Sequence, residues 1–163
     1  MRKFYPSLVV DSPLDVEFAF FSQRSIDTIL LDADNTLLAP GEDHSSLALK
    51  KWVLALKACG LRIYLISNNM PHRISNALAD LEVEGLSFAN KPLVYRIKGF
   101  MRQHNIDAKH CCFIGDQLFT DILAAYRLNM TSILVKQISP NDYFYTRWVR
   151  GVERLILRKG TNQ

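Results

Sequence analysis

The stretch Thr28–Leu38, reading TILLDADNTLL, decides the fold of this chain. Thr28, Ile29, Leu30 and Leu31 are apolar or β-branched, and they run straight into Asp32 and Asp34, with Asn35 and Thr36 close behind. A short apolar run bounded by turn-formers reads as a buried strand. Carboxylates at its C-terminal end fall where open α/β sheets bind ligands. Two acids at i and i+2 point the same way on a continuing strand, and such crowding is costly unless a cation neutralises it. The stretch therefore predicts a buried strand that delivers a carboxylate pair suited to a metal and to phosphate chemistry.

Outward from this strand the chain alternates. Residues 1–12 read as an extended lead-in, and Ser12-Pro13 predicts a short helix with Leu14, Phe18 and Phe21 as its buried stripe. Pro40-Gly41 marks a loop. Ser45 or Ser46 caps a helix over Leu47–Ala58, with Leu49, Trp52, Val53 and Leu56 on one face and Gly60 at its C′ position. A strand follows over Leu61–Ser67, then a helix opened by Pro71, a short strand over Leu86–Ala89 and a helix near Leu93–Gln103. The run CCFIGD makes a strand of Cys111–Asp116, and a helix near Thr120–Leu128 and a strand at Thr131–Val135 complete the series. Strands that are apolar throughout, separated by helices, imply a parallel sheet covered on both faces. No internal repeat, low-complexity tract or linker interrupts the pattern, so residues 1–163 read as a single domain.

The 163 residues are 48% hydrophobic and 22% charged, ordinary globular values that argue against wholesale disorder. The net charge is +4. Clustering Asp32, Asp34, Asp116 and Asp121 in one site would leave the remaining surface more basic still, which favours an anionic partner or serves solubility. Cys59, Cys111 and Cys112 are odd in number and lack CxxC spacing. Both features argue against a disulfide framework and a zinc site. No apolar run reaches membrane-spanning length, and the N-terminus lacks the h-region of a signal peptide. A cytoplasmic protein is expected.

The polar residues fall at the strand ends. The first strand ends at Asp32-x-Asp34 and the second at Ser67-Asn68. Lys91 follows the short third strand, and the fourth ends at Gly115-Asp116 with Asp121 just beyond. In a parallel sheet these ends share one edge. DADNT at 32–36, SNN at 67–69, KP at 91–92 and GDQLFTD at 115–121 resemble, in order and spacing, the four motifs of the haloacid dehalogenase (HAD) superfamily of phosphatases. DNTL, SNN and GDQxxTD are particularly similar to the subfamily IIIA branch. The opening FYPSLVVDSPLDVE resembles that branch's YqeG-type members, which include bacterial proteins and the phosphatidylglycerophosphate phosphatases of organelles and cyanobacteria.

The resemblance implies a three-layer Rossmann-like fold and a Mg²⁺-dependent phosphomonoesterase. It implies Asp32 as the nucleophile that forms an aspartyl-phosphate, and Asp34 as the acid that protonates the leaving alkoxide and then activates water. Mg²⁺ would be held by Asp32, the Asp34 carbonyl and Asp116. Ser67 and Lys91 would bind the transferring phosphoryl group, with Asn68 either touching phosphate or forming the turn. Asp121 would orient Lys91 or a metal-bound water, or act only as a first-turn helix acid, and Thr36 would support a catalytic carboxylate.

Many HAD enzymes carry a cap inserted after the first or second motif. Here one loop, helix and strand consume the interval from Asp34 to Ser67, and one helix and a short strand consume that from Ser67 to Lys91. No cap is expected, so either a neighbouring subunit closes the site or the substrate is large. Residues 141–159 show helical spacing of Trp148, Val149, Val152, Leu155 and Ile156, accompanied by Arg147, Arg150, Arg154, Arg158 and Lys159. Such a helix either lies on an anionic membrane or docks on the sheet with a solvated basic face. The substrate expected from the resemblance is phosphatidylglycerophosphate, with the enzyme peripheral at the inner membrane surface. The rivals are a small soluble sugar or nucleotide phosphate, with the site closed by oligomerisation, and a nucleic-acid-binding module. No aromatic–basic surface pattern favours nucleic acid as a partner.

Overall fold

The computed structural model describes residues 5–33, 36–37 and 44–136, the side chains of residues 72 and 73 excepted. Asp34, Asn35, the Pro40-Gly41 loop and the C-terminal helix expected at 141–159 lie outside the described residues.

Six strands form one all-parallel sheet: β1 (Leu8–Val10), β2 (Thr28–Asp32), β3 (Arg62–Ile66), β4 (Glu84–Leu86), β5 (Cys111–Gly115) and β6 (Thr131–Val135), in the spatial order β1-β6-β5-β2-β3-β4. The helices are α1 (Phe18–Ser22), α2 (Leu47–Ala58), α3 (Pro71–Leu81), α4 (Tyr95–Gln103) and α5 (Leu123–Leu128). Every residue of β2 is buried, because it lies between β3 and β5 with apolar layers on both sides. Strand periodicity divides its side chains. Ile29 and Leu31 join Cys112, Ile114, Ile63 and Leu65 in a core that also takes Phe21, Leu49, Val53, Leu56, Ala77 and Leu81. Leu30 joins Cys111, Phe113 and Ile66 in the opposite core, with Ile97, Phe100, Met101, Ala124, Ala125 and Leu128. Helices thus cover both faces, and the three-layer α/β architecture expected from the alternation is the one observed.

Local chemistry explains the helix ends. The Ser46 hydroxyl accepts from the Leu49 N–H at 3.2 Å, so Ser46 rather than Ser45 caps α2. Gly60 has φ +87° just past its C-terminus, a left-handed conformation that glycine adopts without a Cβ clash. Pro71 occupies the first position of α3, where its missing N–H costs nothing.

One expectation is sharpened and two are corrected. The extended lead-in is partly a sheet strand, with Leu8, Val9 and Val10 in register with Ile133, Leu134 and Val135. Ser12-Pro13 opens only a 3₁₀ turn, Pro13–Asp15, and Phe21 alone of the predicted stripe is buried; Leu14 is 39% and Phe18 44% exposed. The short third strand runs Glu84–Leu86 rather than Leu86–Ala89, because Phe88 and Asn90 at φ 50° and 60° leave extended geometry.

Among the described residues, α2 alone lies between β2 and β3, and α3 alone between β3 and β4. No cap stands over the sheet edge among them. The chain reverses direction across the sheet at β2, stepping to β3 on one side while β5 lies on the other. The C-terminal end of β2 is therefore the switch point where such sheets bind ligands.

Candidate active site

Asp32 ends β2 opposite Ile66 of β3 and is 3% exposed. Its carboxylate has two sides. Oδ1 meets the Lys91 ammonium in a short ion pair. Oδ2 faces Thr36 Oγ1 at 3.2 Å, and that hydroxyl lies 3.3 Å from Asp116 Oδ1. A hydroxyl carries one proton, so it donates to one of the two carboxylates at a time.

Lys91 reaches this position from the loop after β4, which is laced to the loop after β3. Ala89 N–H donates to the Ser67 carbonyl at 2.9 Å and Phe88 N–H to the Asn69 carbonyl at 3.1 Å. The Asn68 amide brackets the Lys91 main chain: Oδ1 accepts the Lys91 N–H at 2.7 Å and Nδ2 donates to its carbonyl at 3.1 Å. The buried ammonium directs its three donors to Asp32, to Asp121 Oδ1 at 2.7 Å and to the Ile66 carbonyl at 3.2 Å. The Phe113 ring lies beneath it, 5.6 Å from Nζ to centroid.

Asp121 arrives on a π-helical turn, Leu118–Ile122, between β5 and α5. Its second oxygen accepts the Gln117 N–H at 3.0 Å. The side chain lies against Gly115, where an added Cβ would stand 2.6 Å from Asp121 Cβ. Only glycine leaves room for that approach.

Asp32, Asp116 and Asp121 are all buried and offer ligand atoms within 4.8 Å of one another. Burial raises the Asp32 carboxyl well above its ordinary value; the Asp121 charge pushes the same way, Lys91 pulls it back, and Asp116 adds to the rise. For Lys91, burial works to lower the ammonium, but the Asp121 and Asp32 carboxylates outweigh it and hold it protonated well above the usual lysine range. Three carboxylates thus cluster where one fixed cation pairs with two of them. Hard oxygen donors with an excess of negative charge fit a divalent ion such as magnesium.

The strand ends bring Asp32, Lys91, Asp116, Asp121 and Thr36 together, as their positions in the sequence lead one to expect. Ser67 is fully buried and its hydroxyl accepts the Asn69 N–H at 2.9 Å. Asn68 is tied to the Lys91 main chain rather than left as a plain turn residue. The Ile66 carbonyl and the bracketing by Asn68 carry no sequence signal. Gly115 carried one, since glycine beside a strand-end acid marks close approach.

Comparison with known proteins agrees with this geometry. The HAD-hydrolase-like family profile matches residues 88–137. The probable phosphatase YqeG of Bacillus subtilis is 30% identical over 98% of this chain and 96% of its own length. Among solved structures, the cobalt-bound 3-deoxy-D-manno-octulosonate 8-phosphate phosphatase of Haemophilus influenzae aligns with TM-score 0.53 at 13% identity, over 70% of this chain and 80% of that one. The same enzyme from Moraxella catarrhalis, in complex with magnesium, phosphate and sugar, aligns with TM-score 0.50 at 18% identity, over 61% and 64%. These two show a shared fold. The chain belongs to the HAD-like hydrolases, in the branch of the YqeG-type proteins. It is a phosphatase.

Proposed function

We propose that the chain is a Mg²⁺-dependent phosphomonoesterase that works through an aspartyl-phosphate on Asp32, and that it converts phosphatidylglycerophosphate to phosphatidylglycerol. The observation that carries this reading is the position of the Asp32 carboxylate: Lys91 lies on one side, and Asp116 approaches through Thr36 on the other. Asp32 and Asp116, with the Asp34 carbonyl expected from the sequence, would hold the ion. When bound, Mg²⁺ supplies positive charge that keeps Asp32 ionised and offsets the repulsion between carboxylate and phosphate.

An oxygen of Asp32 attacks phosphorus, forming the acyl-phosphate bond as the ester P–O bond breaks. Asp34 gives its proton to the departing alkoxide. Water then attacks the same phosphorus and gives a proton to Asp34; the Asp32–phosphorus bond breaks and inorganic phosphate leaves. Lys91, held protonated, balances charge on the phosphoryl oxygens, and Asp121 positions Lys91. Ser67 at the adjoining loop supplies a further phosphoryl contact. The absence of a cap among the described residues supports a large or surface-borne substrate, as does the basic amphipathic pattern of residues 141–159.

Replacing Asp32 with Asn removes the nucleophile while keeping its shape. Release of phosphate from an aryl phosphate should fall at least about a thousandfold, since covalent catalysis is lost; wild-type turnover would refute the assignment. A panel with phosphatidylglycerophosphate in mixed micelles beside sugar phosphates and nucleotides tests the substrate. Preference for a soluble ester would refute the lipid.

A further inference from the structure

We propose that the rim of the active site is itself a docking surface for an anionic lipid bilayer, built from Met70, Phe88, Leu93, Tyr95 and Phe119 with Arg96, Lys98 and Arg127 as its positive charge. It rests on the reading of the substrate as a lipid-borne phosphate and adds which face of the enzyme meets the membrane.

Met70, Phe88 and Leu93 lie on the connections after β3 and β4, Tyr95 opens α4, and Phe119 sits on the π-helical turn Leu118–Ile122 after β5, so all follow strand ends at one edge of the parallel sheet. Their exposures are 55%, 44%, 51%, 62% and 66%. Scattered apolar side chains are ordinary on a protein surface, but their gathering at the edge of a site marks an interaction surface. Phe88 is held at φ 50°, a conformation that costs a bulky residue energy, and its ring is nevertheless left in solvent. The loops are laced together by the bonds of Phe88 and Ala89 to Asn69 and Ser67, by Arg96 Nη2 on the Ser87 carbonyl at 3.4 Å and by Arg127 Nη1 on the Pro92 carbonyl at 2.8 Å. The connections after β3 and β4 are therefore tied to each other and to the end of α5.

Charge selects the occupant. Residues 67–79 and 85–106 contain no Asp or Glu. The acids of the third loop, Asp116 and Asp121, are buried in the site. Exposed apolar groups beside Arg96 and Lys98, whose own segment holds no acid, suit an anionic lipid surface, where the former enter the interface and the latter meet headgroups. A second copy of the same rim would set cation against cation. The placement also serves the reaction: Lys91 lies just before Leu93 and Asp121 just after Phe119, so seating the rim brings a headgroup phosphate to the site without extracting the lipid.

Co-sedimentation of the full chain with vesicles of phosphatidylcholine, with and without phosphatidylglycerol, tests this. The wild type should bind the phosphatidylglycerol vesicles, less at high salt. The double variant Tyr95→Ser/Phe119→Ser should lose about tenfold or more in partitioning, with an unchanged melting temperature as its folding control. Lys98→Glu should weaken binding to the anionic vesicles alone. Equal binding by wild type and double variant overturns the proposal, as does a dimer in solution that the double variant dissolves. The micelle panel separates the two readings. Loss of vesicle binding in the variant, with no wild-type preference for the lipid phosphate, upholds the rim and removes the substrate; the converse pair of results removes the rim alone.

Discussion

Two lysine–aspartate clusters of this protein use the same residue types to opposite effect. Lys50 Nζ lies 3.0 Å from Asp80 Oδ1, and Asp80 Oδ2 accepts the Ser45 N–H at 3.0 Å and meets His44 Nδ1 at 3.1 Å. Solvent still reaches this group, and the Lys50 contact, followed by the Ser45 N–H, lowers the Asp80 carboxyl to about 2. At the sheet edge Lys91 stands as close to two carboxylates, with 3% of its side chain exposed, yet Asp32 shifts the other way. Where water remains, one lysine suffices to stabilise an ionised carboxylate; where water is gone, desolvation exceeds what one lysine returns. The buried cluster sets three carboxylates against one lysine, whereas the surface cluster sets one carboxylate against a lysine and a backbone N–H. The first has the donor set of a candidate metal site; the second ties the segment before α2 to α3.

Breaking the buried pair should give the largest effect. Lys91→Met leaves Asp32 and Asp121 without their cation, and unfolding by denaturant of the metal-free protein should show a loss of about 3–5 kcal/mol. A loss no larger than that for Lys50→Ala would erase the contrast between the clusters.

Next comes the cation. Mg²⁺ at a hundredfold excess over its dissociation constant should stabilise the fold by about 2.7 kcal/mol, read as a rise in melting temperature that a chelator reverses. Asp116→Asn should remove most of that rise. No metal response in the wild type would show the acidic cluster to be self-sufficient.

Gly115→Ala inserts a methyl group into the contact with Asp121, and overpacking of this kind costs about 1–3 kcal/mol. Because the displaced side chain positions Lys91, turnover should fall more than stability does. Alanine at Gly99, where nothing lies within 4 Å of an added Cβ, is the matched control.

The surface cluster should respond least. Lys50→Ala should leave turnover unchanged and stability nearly so. The folded pKa of Asp80 lies below its ordinary 3.8, so its stabilisation is fully present above that value and is lost as pH falls toward about 2. The stability difference between wild type and Asp80→Asn should close over that window in acid denaturation. A difference that grows on acidification would reverse the sign.

Much of this arrangement is legible in the chain. Ile29 and Leu31 against Leu30 predict a strand buried on both faces, and the bounds of α2, Leu47–Ala58, follow from its cap, stripe and terminal glycine. Asp32, Ser67, Lys91 and Asp116 are recognisable because each terminates or follows a strand, and parallel topology sends all such ends to one edge. Local pattern failed where local energy is small. Leu8–Val10 has too few residues to declare itself and becomes a strand only because β6 offers an unpaired edge. Leu14 and Phe18 fit a helical stripe, but the chain turns after Asp15 and no core forms behind them.

The sequence by itself determined the order of the elements, the two apolar faces of the central strands and the kinds of side chain delivered to the sheet edge, since these depend on periodicity and on residues near in the chain. Only the tertiary structure decided that Lys91 is shared between Asp32 and Asp121, that Asn68 brackets the Lys91 main chain, and that Phe88 and Ala89 bond back to Asn69 and Ser67. Each of these joins segments far apart in sequence, and desolvation and Coulomb energies depend on distance in space and on the water excluded between groups, neither of which is written in the spacing of residues along the chain.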